Sequence, residues 1–297
     1  MSQPVISVIT VVYNGVATLE RTLQSVLCQT WPQIDYVLVD GGSTDGTLEL
    51  IGKYASRLGS VVSEPDKGIY DAMNKGIRLA KGDFVLFLGS DDLLRDDQVF
   101  ARIFSDLSNL AFDLIYGNVI SPSYKGWYDG PFTLAKLLSR NISHQAMFYR
   151  RALFQRTGDY NLRYRMHADW DLNIRWFKDP GISTRYVDML VAEFGAEGIS
   201  AGHDIVFIKE VLIREKLRWL NGHGGLHRSP AAYDEWWRLL RNAGIRDLAT
   251  LAACAGEEKI PPAVTRMLAW QRKLPPGLLR VGPISKLLLF INYISNF

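Results

Sequence analysis

Short apolar runs alternate with amphipathic segments over the first third of the chain, and this alternation restricts the folds that the chain can adopt. Between the runs, apolar residues recur every three or four positions, which is the spacing of a helix that buries one face. The repeat predicts an α/β fold with a mixed, mostly parallel sheet flanked by helices. The predicted strands are Val5–Val12, Tyr36–Val39, Ser60–Ser63 and Phe84–Leu88.

Polar residues directly follow three of these strands. The three clusters are Tyr13-Asn14, Asp40–Ser43 and Ser90–Asp92. Ligands of open parallel sheets bind outside the carboxyl ends of the strands. The clusters are therefore expected to line one edge of the sheet.

Further strands are predicted later in the chain, over Phe112–Val119, Ala146–Tyr149 and Thr184–Phe194. A helix is predicted over Asp169–Lys178. The segment Ser121–Pro131 is aromatic and rich in glycine and proline, which predicts a loop over the site.

Charge is unevenly distributed along the 297 residues. The net charge is +3, yet residues 1–204 hold 20 basic and 24 acidic side chains, whereas residues 205–297 hold 14 and 7. The hydrophobic content of 47% and charged content of 22% exclude a disordered chain. The distribution predicts a weakly acidic body followed by a basic, helical region suited to an anionic surface.

Two adjacent carboxylates, Asp91 and Asp92, come directly after the fourth strand. Mg²⁺ commonly takes one or two carboxylates and completes its shell with phosphate oxygens and water. The pair is thus a candidate metal site, although either residue could instead cap a helix that begins at Leu93. No Gly-x-Gly-x-x-Gly follows the first strand and no P-loop motif occurs, which argues against a dinucleotide dehydrogenase and a P-loop NTPase.

Five segments in this order carry a resemblance to a known family. They are Val8–Asn14, Val37–Thr47, Asn74–Phe87, Ser90–Asp92 and Ala168–Leu172. Together they resemble the inverting glycosyltransferases of family 2, which have a GT-A fold, and most of all the bacterial enzymes of capsule, exopolysaccharide and O-antigen assembly. The resemblance covers roughly residues 4–200.

The resemblance implies a division of the chain. Residues 1–204 would form the GT-A catalytic domain, with a nucleotide-binding half over about 1–95 and an acceptor-binding half over about 96–204. Residues 205–297 would form a helical C-terminal extension. It also implies a divalent cation, Mn²⁺ or Mg²⁺, that Asp92 binds between the diphosphate oxygens of a nucleotide-sugar donor.

Nucleotide contacts follow from the same resemblance. Tyr13 matches the aromatic residue against the nucleobase, Asp91 matches the neighbour of the ribose or sugar, and Val11 and Asp40 belong to the same nucleotide-binding motifs. The family often has a second acid where this chain has Gly41, so the base contact is left open. Two following positions are candidates to supply it or to meet a phosphate, namely Asp66 and Lys67; an exposed turn is the alternative.

Asp169 matches the acid that acts as general base in the family, where it follows a glutamate; here the preceding residue is Ala168. Such a base takes the proton from the acceptor hydroxyl during a single inverting displacement. Two alternatives stay open. Asp169 could be the N-cap of the helix that follows, and Asp171 is a rival for the base.

Two histidines are weaker candidates. His144 opens a predicted strand and resembles a position near the acceptor side of related enzymes. His203 lies in a glycine-rich loop after the last strand and could complete the metal or diphosphate shell when that loop closes. A structural role is the alternative for both.

The C-terminal segment Ile284–Phe297 is apolar, aromatic and preceded by basic residues. It resembles an interfacial anchor on an anionic membrane surface, although a helix that packs on the body is the alternative. Its apolar run is too short to span a bilayer. The chain has two cysteines and no basic segment before its first apolar run, which predicts a cytoplasmic protein. With the C-terminal anchor, it is predicted to be peripheral on the inner face of the cytoplasmic membrane.

These features predict a metal-dependent inverting glycosyltransferase that acts on a glycan or polyprenyl-linked acceptor in bacterial surface polysaccharide synthesis. No nucleic-acid partner is expected, because no nucleic-acid fold signature accompanies the basic residues. Two rivals are a non-catalytic module that binds nucleotides or glycans, and a sugar nucleotidyltransferase. The second would show a glycine-rich basic signature after the first strand, which Val11–Asn14 is not.

Overall fold

The computed structural model describes residues 3–120, 126–195, 202–223 and 230–273. The chain divides into two compact units, Met1–Ala201 and Gly202–Phe297. Within the described residues, no helix is long and apolar enough to cross a membrane.

The first unit contains one eight-stranded sheet with helices. Its strands are β1 Ile6–Val12, β2 Ile34–Asp40, β3 Ser60–Ser63, β4 Phe84–Phe87, β5 Leu93–Leu94, β6 Leu114–Ile120, β7 Met147–Arg150 and β8 Thr184–Glu193. Its α-helices are α1 Leu19–Leu27, α2 Thr47–Tyr54, α3 Ile69–Leu79, α4 Val99–Phe104, α5 Leu134–Leu137, α6 Ala152–Thr157 and α7 Ala168–Lys178. These bounds confirm the predicted α/β class.

The strand order is β3-β2-β1-β4-β7-β6-β8-β5. Strands β1 to β4 are parallel, β7 is antiparallel to β4 and β6, β6 and β8 are parallel, and β5 is antiparallel to β8. Every residue of β1 is buried, as expected for a central strand covered on both faces. Because chain order reverses direction across the sheet at β1, the carboxyl ends of β1 and β4 border a crevice at this switch point.

Short β5 was not predicted from the sequence. Leu93 pairs with Glu193, and Leu94 pairs with Ala192, so the segment after Asp92 is a strand. The alternative in which Asp91 or Asp92 caps a helix beginning at Leu93 is therefore wrong. This pairing brings the end of β8 next to the acidic pair.

The second unit is helical over its described residues. A continuous helical stretch comprises α8 Ile205–Phe207, the π-helical turn Ile208–Leu212 and α9 Ile213–Gly222, and it is followed by α10 Pro230–Asn242, α11 Leu248–Ala255 and α12 Pro262–Lys273. Trp236 and Leu240 are buried on α10, and the buried Lys216 of α9 forms an ion pair with Glu235. The segment Ile284–Phe297 lies outside the described residues.

Candidate active site

Hydrogen bonds join the loops that follow β1 and β2. The Asn14 amide donates to Ser43 Oγ at 2.7 Å, and the Thr44 amide donates to Asn14 Oδ1 at 2.9 Å. Asn14 has a φ of 50°, a left-handed conformation that asparagine tolerates better than most residues. The two predicted polar clusters therefore lie together, as the parallel sheet requires.

Asp40 does not face solvent, contrary to its predicted contact with a nucleotide. Its side chain is fully buried, and Oδ2 accepts hydrogen bonds from the Gly42 amide, the Ser43 amide and Ser63 Oγ at 3.0, 3.0 and 2.7 Å. Burial raises the pKa of Asp40, but hydrogen bonds from Ser43, Ser63 and Gly42 outweigh it and hold the pKa below its ordinary value. Asp40 thus orders the turn after β2, and we correct its predicted role.

Gly41 leaves space that Asp66 occupies. A Cβ atom at position 41 would lie 2.6 Å from Asp66 Oδ2 and 3.4 Å from Tyr13 Cδ2. The ring of Tyr13 is 67% exposed, so it offers an open aromatic face beside the Asp66 carboxylate. Val11, in contrast, is buried in β1 and offers no side chain to solvent. The Asp66 carboxylate therefore occupies the space that the side chain of an acid at position 41 would enter.

The acidic pair lies at the carboxyl end of β4. Asp92 is 1% exposed; its Oδ2 accepts from the Gly89 amide and its Oδ1 from the Gly195 amide, both at 2.9 Å. A Cβ at Gly89 would lie 2.7 Å from Asp92 Oδ2 and 3.3 Å from Asp91 Oδ1, so both carboxylates flank one point. A Cβ at Gly195 would collide with the Asp91 carboxylate. Glycine at both positions lets two backbone segments approach the acids closely.

The donor set decides which kind of metal site is possible. In the described part of the chain, no group of three or more His, Cys, Asp or Glu residues could hold a metal ion. Asp91 and Asp92 nevertheless present hard oxygen ligands beside a cavity. They fit a cation that is shared with substrate phosphates, which is how Mg²⁺ is usually held, better than a cage made by protein alone.

A cavity of about 70 Å³ lies at the candidate site. It is lined by Asp91 and Asp92 and also by His144 and Arg165. A second cavity, of about 330 Å³, shares Arg165 and is also lined by Lys67. The remaining residues that line the first cavity are Ile69, Tyr70, Met73, Gly89, Gln145, Met166 and Phe194.

Asp169 lies behind this cavity, in the first turn of α7. It is 8% exposed; Oδ1 accepts from Tyr70 Oη at 2.7 Å, and Oδ2 accepts from Asn141 Nδ2 at 2.8 Å. The His144 Nδ1 atom lies 3.4 Å from Oδ2. The N-cap of α7 is His167, so the N-cap alternative for Asp169 is wrong.

Several contacts keep Asp169 ionised. Burial raises the pKa of Asp169. The hydrogen bond and charge of His144, the hydrogen bond of Tyr70 and the charge of His167 lower it by more than burial raises it, so the pKa lies below the ordinary value. The same burial, together with the charge of Asp169, raises the pKa of Tyr70 well above its ordinary value. Tyr70 therefore stays neutral and donates a hydrogen bond to the carboxylate.

Asp171 is engaged elsewhere. It is buried, and its Oδ2 pairs with Arg175 Nε at 3.0 Å along one face of α7. It is not among the residues that line either cavity. This placement weakens Asp171 as the rival base.

His203 belongs to the second unit, where its Nε2 lies 2.9 Å from Asn242 Nδ2. The neighbouring residues 196–201 are outside the described part of the chain. A metal-binding role for His203 stays a prediction.

The structure adds site residues that sequence reasoning missed. Tyr70, Asn141 and Arg165 are brought to the site by α3 and by two loops, and Gly195 by the end of β8. None belongs to an acidic or histidine cluster in the sequence. The one available signal was Gly195, which follows a strand that ends at the predicted edge.

The chain belongs to glycosyltransferase family 2. The model of that family, described as glycosyl transferase family 2, matches residues 7–171. A PGL/p-HBAD biosynthesis glycosyltransferase of Mycobacterium tuberculosis is 45% identical over 203 residues, covering 67% of this chain and 79% of that protein. An uncharacterized glycosyltransferase of Haemophilus influenzae is 33% identical over 112 residues, covering 37% of this chain and 45% of that protein. The protein is therefore a glycosyltransferase enzyme.

Solved structures share the fold. The S. aureus TarS fragment 1–349 superposes with a TM-score of 0.60 at 17% identity, covering 91% of each chain. The same fragment in complex with UDP-GlcNAc gives 0.57 at 18% identity, covering 98% of this chain and 80% of that one. The mannosyltransferase PcManGT of Pyrobaculum calidifontis, in complex with GDP-Man and Mn²⁺, gives 0.52 at 17% identity, covering 100% and 88%. These likenesses confirm the predicted GT-A fold.

Proposed function

We propose that this glycosyltransferase transfers a sugar, with inversion, from a nucleotide donor to a hydroxyl of a lipid-linked glycan during bacterial surface polysaccharide synthesis. The observation that carries the transfer itself is the cavity that Asp91, Asp92 and His144 line together, with the Asp169 carboxylate 3.4 Å from the His144 ring. The acidic pair suits a diphosphate with its cation, and the part of the site with His144 and Asp169 suits a hydroxyl that must lose a proton.

The nucleoside would bind at the carboxyl ends of β1 and β2. The exposed ring of Tyr13 suits stacking on a nucleobase, and the Asp66 carboxylate beside it suits a hydrogen bond to the base or ribose. Two fold neighbours support a nucleotide donor, since one holds UDP-GlcNAc and another holds GDP-Man with Mn²⁺.

The diphosphate would lie between the acidic pair and the two cationic side chains Lys67 and Arg165. Asp92 and Asp91 would hold Mn²⁺ or Mg²⁺ together with the phosphate oxygens. Bound there, the cation supplies stabilisation of the negative charge that develops on the leaving group. Lys67 and Arg165, which line the adjoining cavity, would bind phosphate oxygens from the other side.

A donor panel tests this proposal. Purified protein is incubated with UDP-, GDP- and dTDP-sugars, with Mn²⁺, with Mg²⁺ or with EDTA, and release of nucleoside diphosphate is measured. We expect release from one donor class that requires the cation. Release of pyrophosphate would instead identify a nucleotidyltransferase, and saturable binding of donors without turnover would identify a binding module.

The basic C-terminal region supports a cytoplasmic enzyme that is peripheral on the membrane and uses a polyprenyl-linked acceptor. All six charged residues from position 259 to the end are basic. Removing residues 274–297 keeps α12, whose Val264, Met267 and Leu268 are buried. We expect the full chain to float with vesicles of phosphatidylglycerol but not with vesicles of phosphatidylcholine. The shortened chain is expected to float with neither. Equal flotation of both chains would contradict the anchor.

A further inference from the structure

A loop asparagine, Asn141, bridges two side chains that lie one turn apart on α7. Asn141 Nδ2 donates to Asp169 Oδ2 at 2.8 Å, and Asn141 Oδ1 accepts from Asn173 Nδ2 at 2.9 Å. Residues four positions apart on a helix share one face, so a single amide group can contact both. The bridge therefore ties the loop between α5 and β7 to the face of α7 that holds the predicted base.

The charge of Asp169 decides which way round this bridge is made. An ionised carboxylate accepts hydrogen bonds and donates none, so Asn141 must turn its NH₂ group towards Asp169. The side-chain oxygen of Asn141 then faces Asn173, which must present its own NH₂ group. Asn173 is fully buried, and its Oδ1 has no hydrogen-bond partner in the described part of the chain. A buried oxygen without a partner is unfavourable, so the orientation of Asn141 is maintained at the expense of Asn173.

The backbone of Asn141 is held as well. Its carbonyl oxygen accepts a hydrogen bond from Tyr128 Oη at 2.7 Å. Tyr128 is itself paired with Val119 of β6 through backbone hydrogen bonds of 2.7 and 2.8 Å. A functional group is oriented most precisely when the residues around it are fixed by contacts of their own. The donor to Asp169 is thus anchored on one side by the segment paired with β6 and on the other by α7.

The four contacts of the Asp169 carboxylate differ in length. Oδ1 accepts from Tyr70 Oη at 2.7 Å and from the Trp170 amide at 2.9 Å. Oδ2 accepts from Asn141 at 2.8 Å and faces His144 Nδ1 at 3.4 Å. An ionised carboxylate offers about four lone-pair sites. Because His144 makes the longest contact and also lines the cavity with the acidic pair, the Oδ2 lone pair on its side is the one that an acceptor hydroxyl can take over most easily.

We propose that Asn141 is a positioning residue, which holds Oδ2 of Asp169 in the orientation that takes the proton from the acceptor hydroxyl. The proposal rests on the proposed glycosyl transfer and deepens it. In that step the hydroxyl gives its proton to Oδ2 while its oxygen forms a bond to the anomeric carbon. The bond from that carbon to the diphosphate oxygen breaks, and its electron pair leaves with the nucleoside diphosphate. A carboxylate that is free to rotate presents the required lone pair less often, so its orientation by Asn141 contributes to the rate.

Removal of the amide tests this role. With the donor identified by the panel above, we expect Asn141→Ala to lower kcat by about 10- to 100-fold, while the Kd of the nucleoside diphosphate with Mn²⁺ stays unchanged. Asn173→Ala is expected to lower kcat less, by about 3- to 10-fold, because the amide of Asn141 is then present but no longer fixed. Since Asn173 acts through Asn141, the double variant is expected to be no slower than Asn141→Ala alone.

Asn109→Ala is the matched control for these variants. Asn109 is also buried, donates to the Ile103 carbonyl oxygen at 2.7 Å and has an Oδ1 without a partner among the described residues. It lines neither cavity of the site. We expect its replacement to lower the melting temperature while kcat stays near that of the wild type.

Asn141→Asp separates positioning from packing. The variant keeps the shape of the side chain and an acceptor for Asn173, but when ionised it turns an oxygen instead of a donor towards Asp169. Two carboxylates at this distance raise the pKa of one of them, so position 141 can donate only while it is protonated, at lower pH. We expect kcat of the variant to fall as pH rises through that pKa, in a range where kcat of the wild type does not fall. Both proteins share the other titratable groups that act on Asp169, namely His144, Tyr70 and His167.

Three results would overturn the assignment while leaving glycosyl transfer in place. They are an Asn141→Ala enzyme with kcat near that of the wild type, additive losses in the double variant, and an Asn141→Asp enzyme whose kcat follows the pH dependence of the wild type. Thermal unfolding of each variant shows whether it is folded at the assay temperature. A wild-type enzyme that releases no nucleoside diphosphate from any donor would instead refute the proposed function itself.

Discussion

Asp169→Asn is expected to lower kcat by about 10²–10⁴-fold while the affinity for the donor stays near that of the wild type. The substitution removes the carboxylate that is predicted to take the proton from the acceptor hydroxyl, and it places an amide where Tyr70 and Asn141 now donate. Asp91 and Asp92, where the donor diphosphate is proposed to bind, are unchanged. Single-turnover kinetics with acceptor, together with equilibrium binding of the nucleoside diphosphate, measure the two quantities separately.

Asp171→Asn is the matched control, because the two residues lie on the same helix and both are buried. It breaks the ion pair with Arg175 and is expected to lower the melting temperature slightly while kcat stays near that of the wild type. Comparable losses of kcat in both variants would contradict the distinct role of Asp169.

Because the pKa of Asp169 is depressed, its ionised form stabilises the fold above the ordinary aspartate pKa, and this contribution is lost as pH falls through the folded pKa. The Asp169→Asn variant should lack that part of the acid sensitivity.

The second large effect is expected at Asp92. Asp92→Asn should lower kcat by about 10²–10³-fold and also abolish the stabilisation of the protein by a nucleoside diphosphate with Mn²⁺. The reason is the loss of a carboxylate that accepts hydrogen bonds from the amides of Gly89 and Gly195 at the end of β4. A ligand that binds only the folded state raises the melting temperature, so thermal unfolding with and without the nucleotide and cation measures this directly.

The fold of the Asp92→Asn protein needs its own control, because asparagine can replace only one of the two acceptor oxygens. Without ligand, a modest fall in melting temperature is expected from the hydrogen bond lost to Gly89 or Gly195. Thr22→Ser retains the hydroxyl that donates to the Asp92 carbonyl oxygen and serves as a mild perturbation of the same turn. If nucleotide and Mn²⁺ stabilise the Asp92→Asn variant as much as they stabilise the wild type, the proposed role of Asp92 is refuted.

Local patterns were sufficient for most of the sheet. Strands such as β1 and β4 are short runs of apolar residues buried on both faces, and their length and apolar composition indicate a strand without any tertiary information. The two-residue strand β5 escaped detection, because a pair of leucines has no period and its pairing partner, β8, lies about a hundred residues later. Pairings of such separation depend on the folded sheet rather than on local sequence.

The residues of the candidate site were also predicted only in part from the sequence. Asp91 and Asp92 could be singled out from their position after a strand, and Asp169 from the resemblance to family 2. The burial of Asp40 could not be predicted from the sequence. Its carboxylate accepts hydrogen bonds within the turn that follows β2, and a further hydrogen bond comes from Ser63, which is distant in the sequence. Tyr70 and Asn141 could not be predicted either, because they are 99 and 28 positions from Asp169 and meet it only when α3 and the loop after α5 pack against α7.

The close approach of Gly195 to the acidic pair limits how this enzyme can be redesigned. Its amide donates to Asp92, while its α-carbon packs so tightly against Asp91 that even the methyl group of alanine would collide with the carboxylate. A chimera that borrows the stretch beyond β8 from a relative, in search of a new product, must therefore join that stretch after a retained glycine. Any bulkier junction would displace the Asp91 carboxylate, and the resulting loss of activity could be mistaken for a change in specificity.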